Sequence, residues 1–294
     1  MTISAEIIRD SIAHNGSRIT TMALVMPRII LPEFNTHRVF SRNSQSSRAV
    51  SVIKIIEELD LHPFIPSAFN KNNKTMQGGE AMSVDEQELV EAVWLKARDN
   101  AILSAQDMIR LGVAKQYANR ILEPFSWTRT LVTSTTWSNF FALRLHKDAQ
   151  PEIQELALRM YEAMQASKPA TLDYGEWHLP YINDEDIAEQ RSKYSYDALE
   201  SKEYLDCWEP LIKRSVARCA RVSYLNNFKK VPTEAEDFIL YERLVGGEQK
   251  HSSPAEHCAT PSPEINNRHA NFTGWLQYRK FISGENITEF KGIL

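Results

Sequence analysis

An α/β fold is what the sequence predicts, on three observations. Residues 18–31, RITTMALVMPRIIL, are rich in Ile, Thr, Val and Leu and read as a strand. Several later stretches repeat apolar residues at helical spacing, and glycine or proline punctuates the joins between them. The 294 residues, 43% hydrophobic and 24% charged, suffice for a substantial core as one large or two modest domains.

Taken in order, residues 1–17 are a polar start. The run 18–31 is expected to be a strand or edge strand that bends at Pro27, because proline cannot donate to a ladder. Positions 49–61 return to helical spacing, and 64–79 form a polar loop that ends at Gly78 and Gly79. Ser83 followed by Glu86 makes a capping box, which opens the clearest helix. Its apolar face is Val90, Val93, Trp94, Ala97, Ala101, Ala105 and Met108, and it closes at Gly112. A second helix is expected to carry Tyr117 and Arg120 and to stop before Pro124. A third covers 137–146, and a fourth starts at Pro151, a natural first-turn proline. The polar stretch 167–204 reads as a linker or surface insertion. Two further helical stretches follow, 207–224 and 233–247, the second stopping at Gly246 and Gly247. There is no internal repeat.

Charge and motif content exclude several functions. Lys plus Arg number 34 against 38 for Asp plus Glu, and a net charge of −4 gives no general basic field for a polyanion. No run of 18 apolar residues occurs and the start lacks the pattern of a secretory signal, so a cytoplasmic location is expected. Cys207, Cys219 and Cys258 form no CxxC pair and read as reduced packing residues. GxGxxG, GxxxxGK[ST] and GxSxG do not occur. HSSPAEHC, 251–258, lacks the second ligand pair of a closed zinc site, so no metal is expected.

Against that background HRVFSRNSQSSR, 37–48, stands out, with three arginines, a histidine, four serines and an asparagine in an acidic chain. Alone it could be a solvated basic loop, or a short nucleic-acid contact with Phe40 as a stacking residue. Planar guanidinium forks and small hydroxyls also suit anionic ligands held by side chains.

The pattern His37, Arg38, Ser41, Asn43, Ser46, Arg48 resembles the signature RHRxxSxNExSxRY of the flavin-dependent thymidylate synthases (ThyX). The strand before it, the later Arg120, Asn139 and Arg144, and the helix start AQPEIQ at 149–154 are similar to that family as well. ARVSY, 220–224, and HSSPAEH, 251–257, look like two segments that precede the signature in the family but follow it here. A circular permutation accounts for this, with 208–257 corresponding to the family's N-terminal part; 167–204 and the tail 259–294 lie outside the resemblance.

The resemblance implies a single α/β domain, a twisted and largely antiparallel sheet flanked by long helices. It implies FAD as cofactor, NADPH and methylenetetrahydrofolate as co-substrates, and transfer of a one-carbon unit to C5 of a pyrimidine deoxynucleoside monophosphate, dUMP to dTMP. Family members are homotetramers whose active sites draw on more than one subunit, and the same is expected here. By resemblance, His37, Arg38, Asn43, Ser223, His251, Ser253, Glu256 and Asn139 line the flavin. Glu33, Ser44, Gln45, Ser46, Arg48, Arg120 and Arg144 lie at the nucleotide. Arg144 and Arg48 are the candidates for stabilising charge on the pyrimidine, and Ser46 is a hydrogen-bond donor rather than a nucleophile.

Departures from the family matter. Thr36 replaces the leading arginine, Ser44 a glutamate, Ala49 a tyrosine, Asp148 a histidine and Glu33 a glutamine. A carboxylate only accepts, so Glu33 would suit the N4 amine of cytosine better than O4 of uracil. Methyl or hydroxymethyl transfer to dCMP is therefore an alternative, as is a flavin-binding relative that has lost catalysis. Singly, Arg144 could be a helix-surface residue paired with Asp148 four positions on. Trp127, Trp137, Phe140 and Phe141 read as core, His62 and His178 as structural, and 272–286 as packed against the body.

Overall fold

The computed structural model describes residues 1–74, 78–193, 202–224, 232–247 and 250–286. The chain opens with β1 (Ser4–Ala13) and β2 (Arg18–Pro27), an antiparallel hairpin. Its turn uses Gly16 at φ +87, a conformation that costs glycine least, and Asn15 Oδ1 accepts from the Ser17 amide at 2.9 Å. A 3₁₀ turn (Arg28–Ile30) and α1 (Leu31–Phe34) lead to β3 (Ser41–Ser44). Next come α2 (Val52–Leu61), α3 (Val84–Arg110), α4 (Lys115–Ala118), a 3₁₀ helix (Arg120–Phe125) and β4 (Trp127–Ser134). α5 (Ser138–Arg144), α6 (Pro151–Ala166), β5 (Ala170–Leu172), α7 (Asp184–Ser192), α8 (Lys202–Arg221) and α9 (Glu234–Tyr241) follow. The C-terminal part adds a 3₁₀ turn (Ser253–His257), β6 (Ala259–Pro261), β7 (Arg268–His269), β8 (Phe272–Thr273) and β9 (Trp275–Gln277).

The main sheet has the order β3-β4-β2-β1-β5, and every pairing is antiparallel except β1 with β5. Strand alternation sends Met22, Leu24, Met26 and Val132 to one face, where α6 covers them with Ile153, Leu156, Ala157 and Met160. On the other face Leu131 meets Cys219 and Val222, and Ile19 meets Phe272 and Trp275. Three layers result, with the C-terminal half of the chain forming one of them. Among the described residues no helix is long and apolar enough to cross a membrane.

The structure departs from the sequence reading in five places. β1 lies in the polar start, and β2 is a central strand rather than an edge, ending at Pro27, two residues past its last pairing with β1. The helix expected to hold Tyr117 and Arg120 is broken into α4 and a 3₁₀ helix that contains Pro124. The capping box is present, with Ser83 Oγ accepting from the Glu86 amide at 3.3 Å and Glu86 Oε2 from the Ser83 amide at 2.8 Å. Yet Val93 on that helix is 67% exposed, because the covered face runs through Trp94, Ile102 and Ala105 and Val93 lies off it. Finally 167–204 is no surface excursion where it is described: Trp177, Leu179, Ile182 and Ile187 enter a buried cluster with Trp208, Leu211 and Val216. Residues 194–201 of that stretch lie outside the described residues.

Three expectations about packing hold. Trp127, Trp137 and Phe140 are core, the three cysteines are free and buried, and Phe272 and Trp275 of the tail are fully buried.

Candidate active site

β3 is a short edge strand, and its pleat decides what the signature residues face. Paired with β4 in the register Asn43↔Leu131, it turns Ser41 and Asn43 toward the C-terminal layer. Asn43 Nδ2 donates to the carbonyl of Cys219 at 3.5 Å, and the Ser46 amide donates to the carbonyl of Ser223 at 3.2 Å. Beyond β3 the chain makes a tight turn in which Ser46 Oγ accepts from the Arg48 amide at 3.2 Å. The buried Asn119 side chain fastens that turn from behind, donating to Ser47 O at 2.7 Å and to Val50 O at 3.0 Å. This bond explains why the helix expected across 117–123 is interrupted: Asn119 faces inward, to the signature.

The result is a cavity of about 610 Å³. Asn43, Ser46, Arg48 and Ala49 line one side, and Ala220, Ser223, Tyr224, Leu244, His251, Ser253 and Pro254 the other. The His251 amide is anchored to Leu244 O at 2.7 Å. Six predicted ligand residues therefore share one space: Asn43, Ser46, Arg48, Ser223, His251 and Ser253. Lys115, Tyr224 and Leu244 join them without having been singled out; Lys115 belongs to no motif, and Tyr224 is the last letter of ARVSY.

Below the cavity a polar seam ties its C-terminal wall to the sheet. His257 Nδ1 bonds Thr133 Oγ1 at 2.8 Å, Thr133 bonds Thr21 at 2.6 Å, Thr21 bonds His178 Nε2 at 2.8 Å, and His178 Nδ1 bonds Ser11 at 2.9 Å. Both imidazoles are fully buried. Burial pushes the His257 pKa down to about 3, and burial first, then Arg9 and His257, holds His178 well below the ordinary value.

A second group of predicted residues gathers away from the cavity lining. Arg144 Nε donates to His37 Nε2 at 3.0 Å and its Nη1 pairs with Glu33. His37 is 7% exposed, stacks on Phe40 and meets Phe140 edge-on. Burial, then Arg144, then Arg42 lower its pKa, so His37 is a neutral acceptor. Arg42 folds back onto the same loop, donating to the carbonyls of Asn35 at 2.9 Å and His37 at 3.0 Å.

The remaining candidates stand apart. Arg38 and Asn139 are exposed, and Arg120 is exposed with its guanidinium 3.7 Å from Glu123. Glu256 pairs with Arg279 of the tail. Ser44 Oγ bonds Thr130 Oγ1 at 2.9 Å, on the strand face opposite Asn43. Gln45 is buried, its backbone amide on Arg129 O at 2.8 Å and its side-chain oxygen without a partner among the described residues.

Comparison with known proteins bears on this arrangement. The profile of the family described as "Thymidylate synthase complementing protein" matches residues 18–170. That span includes the whole signature and leaves out Ser223, His251 and Ser253 on the opposite wall. A flavin-dependent thymidylate synthase from Aquifex aeolicus (strain VF5) is 31% identical over 143 residues, which are 47% of this chain and 42% of that protein. The chain thus matches about two fifths of the relative's length. The UMP/dUMP methylase PolB from Streptomyces cacaoi bound with 5-Br UMP is similar at a TM-score of 0.47 and 18% identity, covering 55% of this chain and 88% of PolB. Its complex with 5-Br dUMP gives 0.45, 18%, 55% and 89%.

Proposed function

The chain belongs to the thymidylate synthase complementing protein family, and on that premise we propose that it transfers a one-carbon unit to C5 of a pyrimidine deoxynucleotide. The reaction in this reading is dUMP to dTMP, with FAD as cofactor and NADPH and methylenetetrahydrofolate as co-substrates, in the cytoplasm. The observation that carries it is the shared cavity, in which Asn43, Ser46 and Arg48 of the signature face Ser223, His251 and Ser253.

The lining fits a flavin nucleotide. An amide, three serine hydroxyls and an imidazole offer hydrogen bonds with little bulk, Arg48 offers a fork for phosphate or pyrimidine oxygen, and about 610 Å³ is within the size range of ligand sites. Bound there, the flavin would supply the reducing equivalents that turn the transferred carbon into a methyl group. The chain's own residues bind, orient and stabilise charge. Ser46 accepts from the Arg48 amide, which leaves its O–H free to donate outward, and no His or Lys among the described residues bonds to it as a base.

The same contacts support a circular permutation. Asn43 with Cys219 and Ser46 with Ser223 join the signature to 208–257, as a permuted segment taking the place of the family's N-terminal part would require. Arg144, His37 and Glu33 form a cluster outside the cavity lining; in the homotetramer that the family resemblance implies, one subunit's arginine cluster would complete another's cavity. A second reading, transfer to dCMP, rests on Glu33, whose carboxylate could accept from a cytosine amine if it shared Arg144 with the base.

The test is mass spectrometry of products from purified protein given FAD, NADPH, methylenetetrahydrofolate and equimolar dUMP and dCMP. A methyl increment on dUMP is expected. An increment on dCMP alone would transfer the assignment to the second reading, and a flavin-loaded protein that modifies neither would be a binding relative without this activity.

A further inference from the structure

Residues 259–286 lie outside the span that the family profile matches, yet they hold the segments that carry both walls of the cavity. On the signature side, Ser41 of β3 is fully buried, and its Oγ accepts from Asn271 Nδ2 at 3.0 Å and from Gln277 Nε2 at 3.2 Å. On the opposite side, Glu256 of the Ser253–His257 turn pairs with Arg279. β3 and that turn pack directly on one another, so the tail spans the joint between them.

The sequence around Arg279 fixes where its guanidinium stands. Tyr278–Phe281 is a 3₁₀ turn in which the Tyr278 amide donates to Cys258 O at 2.8 Å, and the rings of Tyr278 and Phe281 meet the buried Trp177 edge-on. The chain then reverses. The Glu285 amide donates to Ile282 O at 3.2 Å, and Gly284 takes φ +70, the left-handed conformation that favours glycine at the third position of such a turn. This reversal returns Glu285 to Arg279, whose Nε donates to Glu285 Oε2 at 2.7 Å while its Nη1 donates to Glu256. Arg279 thus bridges two carboxylates, one in the tail and one in the cavity wall, whose side chains are only 8% and 19% exposed. The signature feels the same carboxylate: burial lowers the Arg42 pKa and the charge of Glu256 opposes that shift.

We propose that Arg279 is a positioning residue for the cavity: through Glu256 it holds the Ser253–His257 turn against β3, and so sets where Ser253 and the adjacent His251 stand relative to Asn43 and Arg48. The inference rests on the reading of that cavity as a flavin site and deepens it. It gives the tail a task that neither the signature nor HSSPAEH reveals, because the partner of Glu256 comes from 23 positions further on.

The experiment titrates the full chain with FAD, read by flavin fluorescence, in wild type, Arg279→Met, Arg279→Lys, Glu256→Gln and the Arg279→Met/Glu256→Gln double variant. Arg279→Met should weaken FAD about fivefold, the scale of one partly exposed charge pair, and Arg279→Lys should recover part of the loss, because it keeps the charge without the fork. In the Glu256→Gln background Arg279→Met should cost nothing further, since an effect carried by Glu256 disappears with it. A role in packing alone would give the same loss in both backgrounds, in step with the melting midpoint, and that result overturns the proposal. Wild-type FAD affinity in a folded Arg279→Met overturns it as well. If the wild-type chain takes up no FAD, the proposed function falls, and Arg279 is then judged by amide hydrogen exchange across residues 251–258. Exchange there should quicken in Arg279→Met and be no quicker in the double variant than in Glu256→Gln, and exchange unchanged by Arg279→Met removes the positioning role.

Discussion

Arg144 touches two other predicted ligand residues at once, donating to His37 and pairing with Glu33. It does not line the cavity, so the two functions can be separated. Arg144→Ala should lower turnover by about 100-fold, the scale of a lost charge-stabilising donor, while flavin affinity stays within about twofold. Steady-state rates and flavin fluorescence check this, and wild-type turnover would remove the arginine from the chemistry. The variant should also raise the His37 pKa toward 6.5, since it removes the second cause of its depression; an NMR titration of the ring reads this directly. Asn43, Ser46 and Arg48 are legible in the sequence because fixed spacing within one short stretch survives any packing around it. The partner of Arg144 is not. Sequence spacing offers Asp148 as a helical neighbour, but α5 ends at Arg144, Asp148 falls beyond it beside His146, and Glu33 of α1, distant in the chain, takes the guanidinium.

At the level of elements, one buried carboxylate sets how α9 sits on α8. Asp237 is 0% exposed and accepts from Arg218 Nε at 2.9 Å and from Arg221 Nη2 at 3.1 Å. Arg221 stands two residues before Ser223 of the cavity wall. Removing the shared counter-charge by Asp237→Ala should cost about 3 to 5 kcal/mol in urea unfolding and should weaken flavin binding in the protein that still folds. A loss below about 1 kcal/mol would show that the pair is not holding these helices. The strand that sequence reading missed has a related cause. SAEIIRDSIA carries Glu6, Arg9 and Asp10, which hide its alternation, and Asp10 can be buried only because Arg18, Thr20 and Ser167 all bond to it. Arg18 and Thr20 come from the facing strand of the hairpin and Ser167 from 157 positions away, so no local window contains all three. The capping box at Ser83 and Glu86, by contrast, is wholly local and is recovered as expected.

Across the whole molecule the neutral pair His178 and His257 couples three strands to the C-terminal layer, and this has a pH signature. Both groups have folded-state pKa values depressed below the ordinary 6.5. The stability they support is therefore complete above pH 6.5 and is lost as the pH falls from 6.5 toward about 3. Each should cost roughly 1.4 kcal/mol for every pH unit below its unfolded value. The melting midpoint should fall between pH 7.5 and 5.5, less steeply in His257→Gln, and a flat profile in the wild type would contradict the buried neutral pair. The α/β class and the antiparallel sheet are legible from residue pattern and family resemblance together. The burial of 167–204 is not, because Trp177 and Leu179 are isolated among polar neighbours and acquire a core only when Trp208 and Val216 of α8 arrive. Distance along the chain has one more consequence, for synthesis. Asn43 meets Cys219 across 176 positions, and Ser41 meets Asn271 across 230. Closing such long loops adds only slowly to the entropy cost, yet it fixes an order of events. While the ribosome is still making the chain, β3 can pair with β4 but faces no opposite wall, so a nascent chain has no cavity to offer. A chain that stops before residue 251 could build the sheet but would lack His251, Ser253 and Pro254, so the cavity closes only once those residues have left the ribosome.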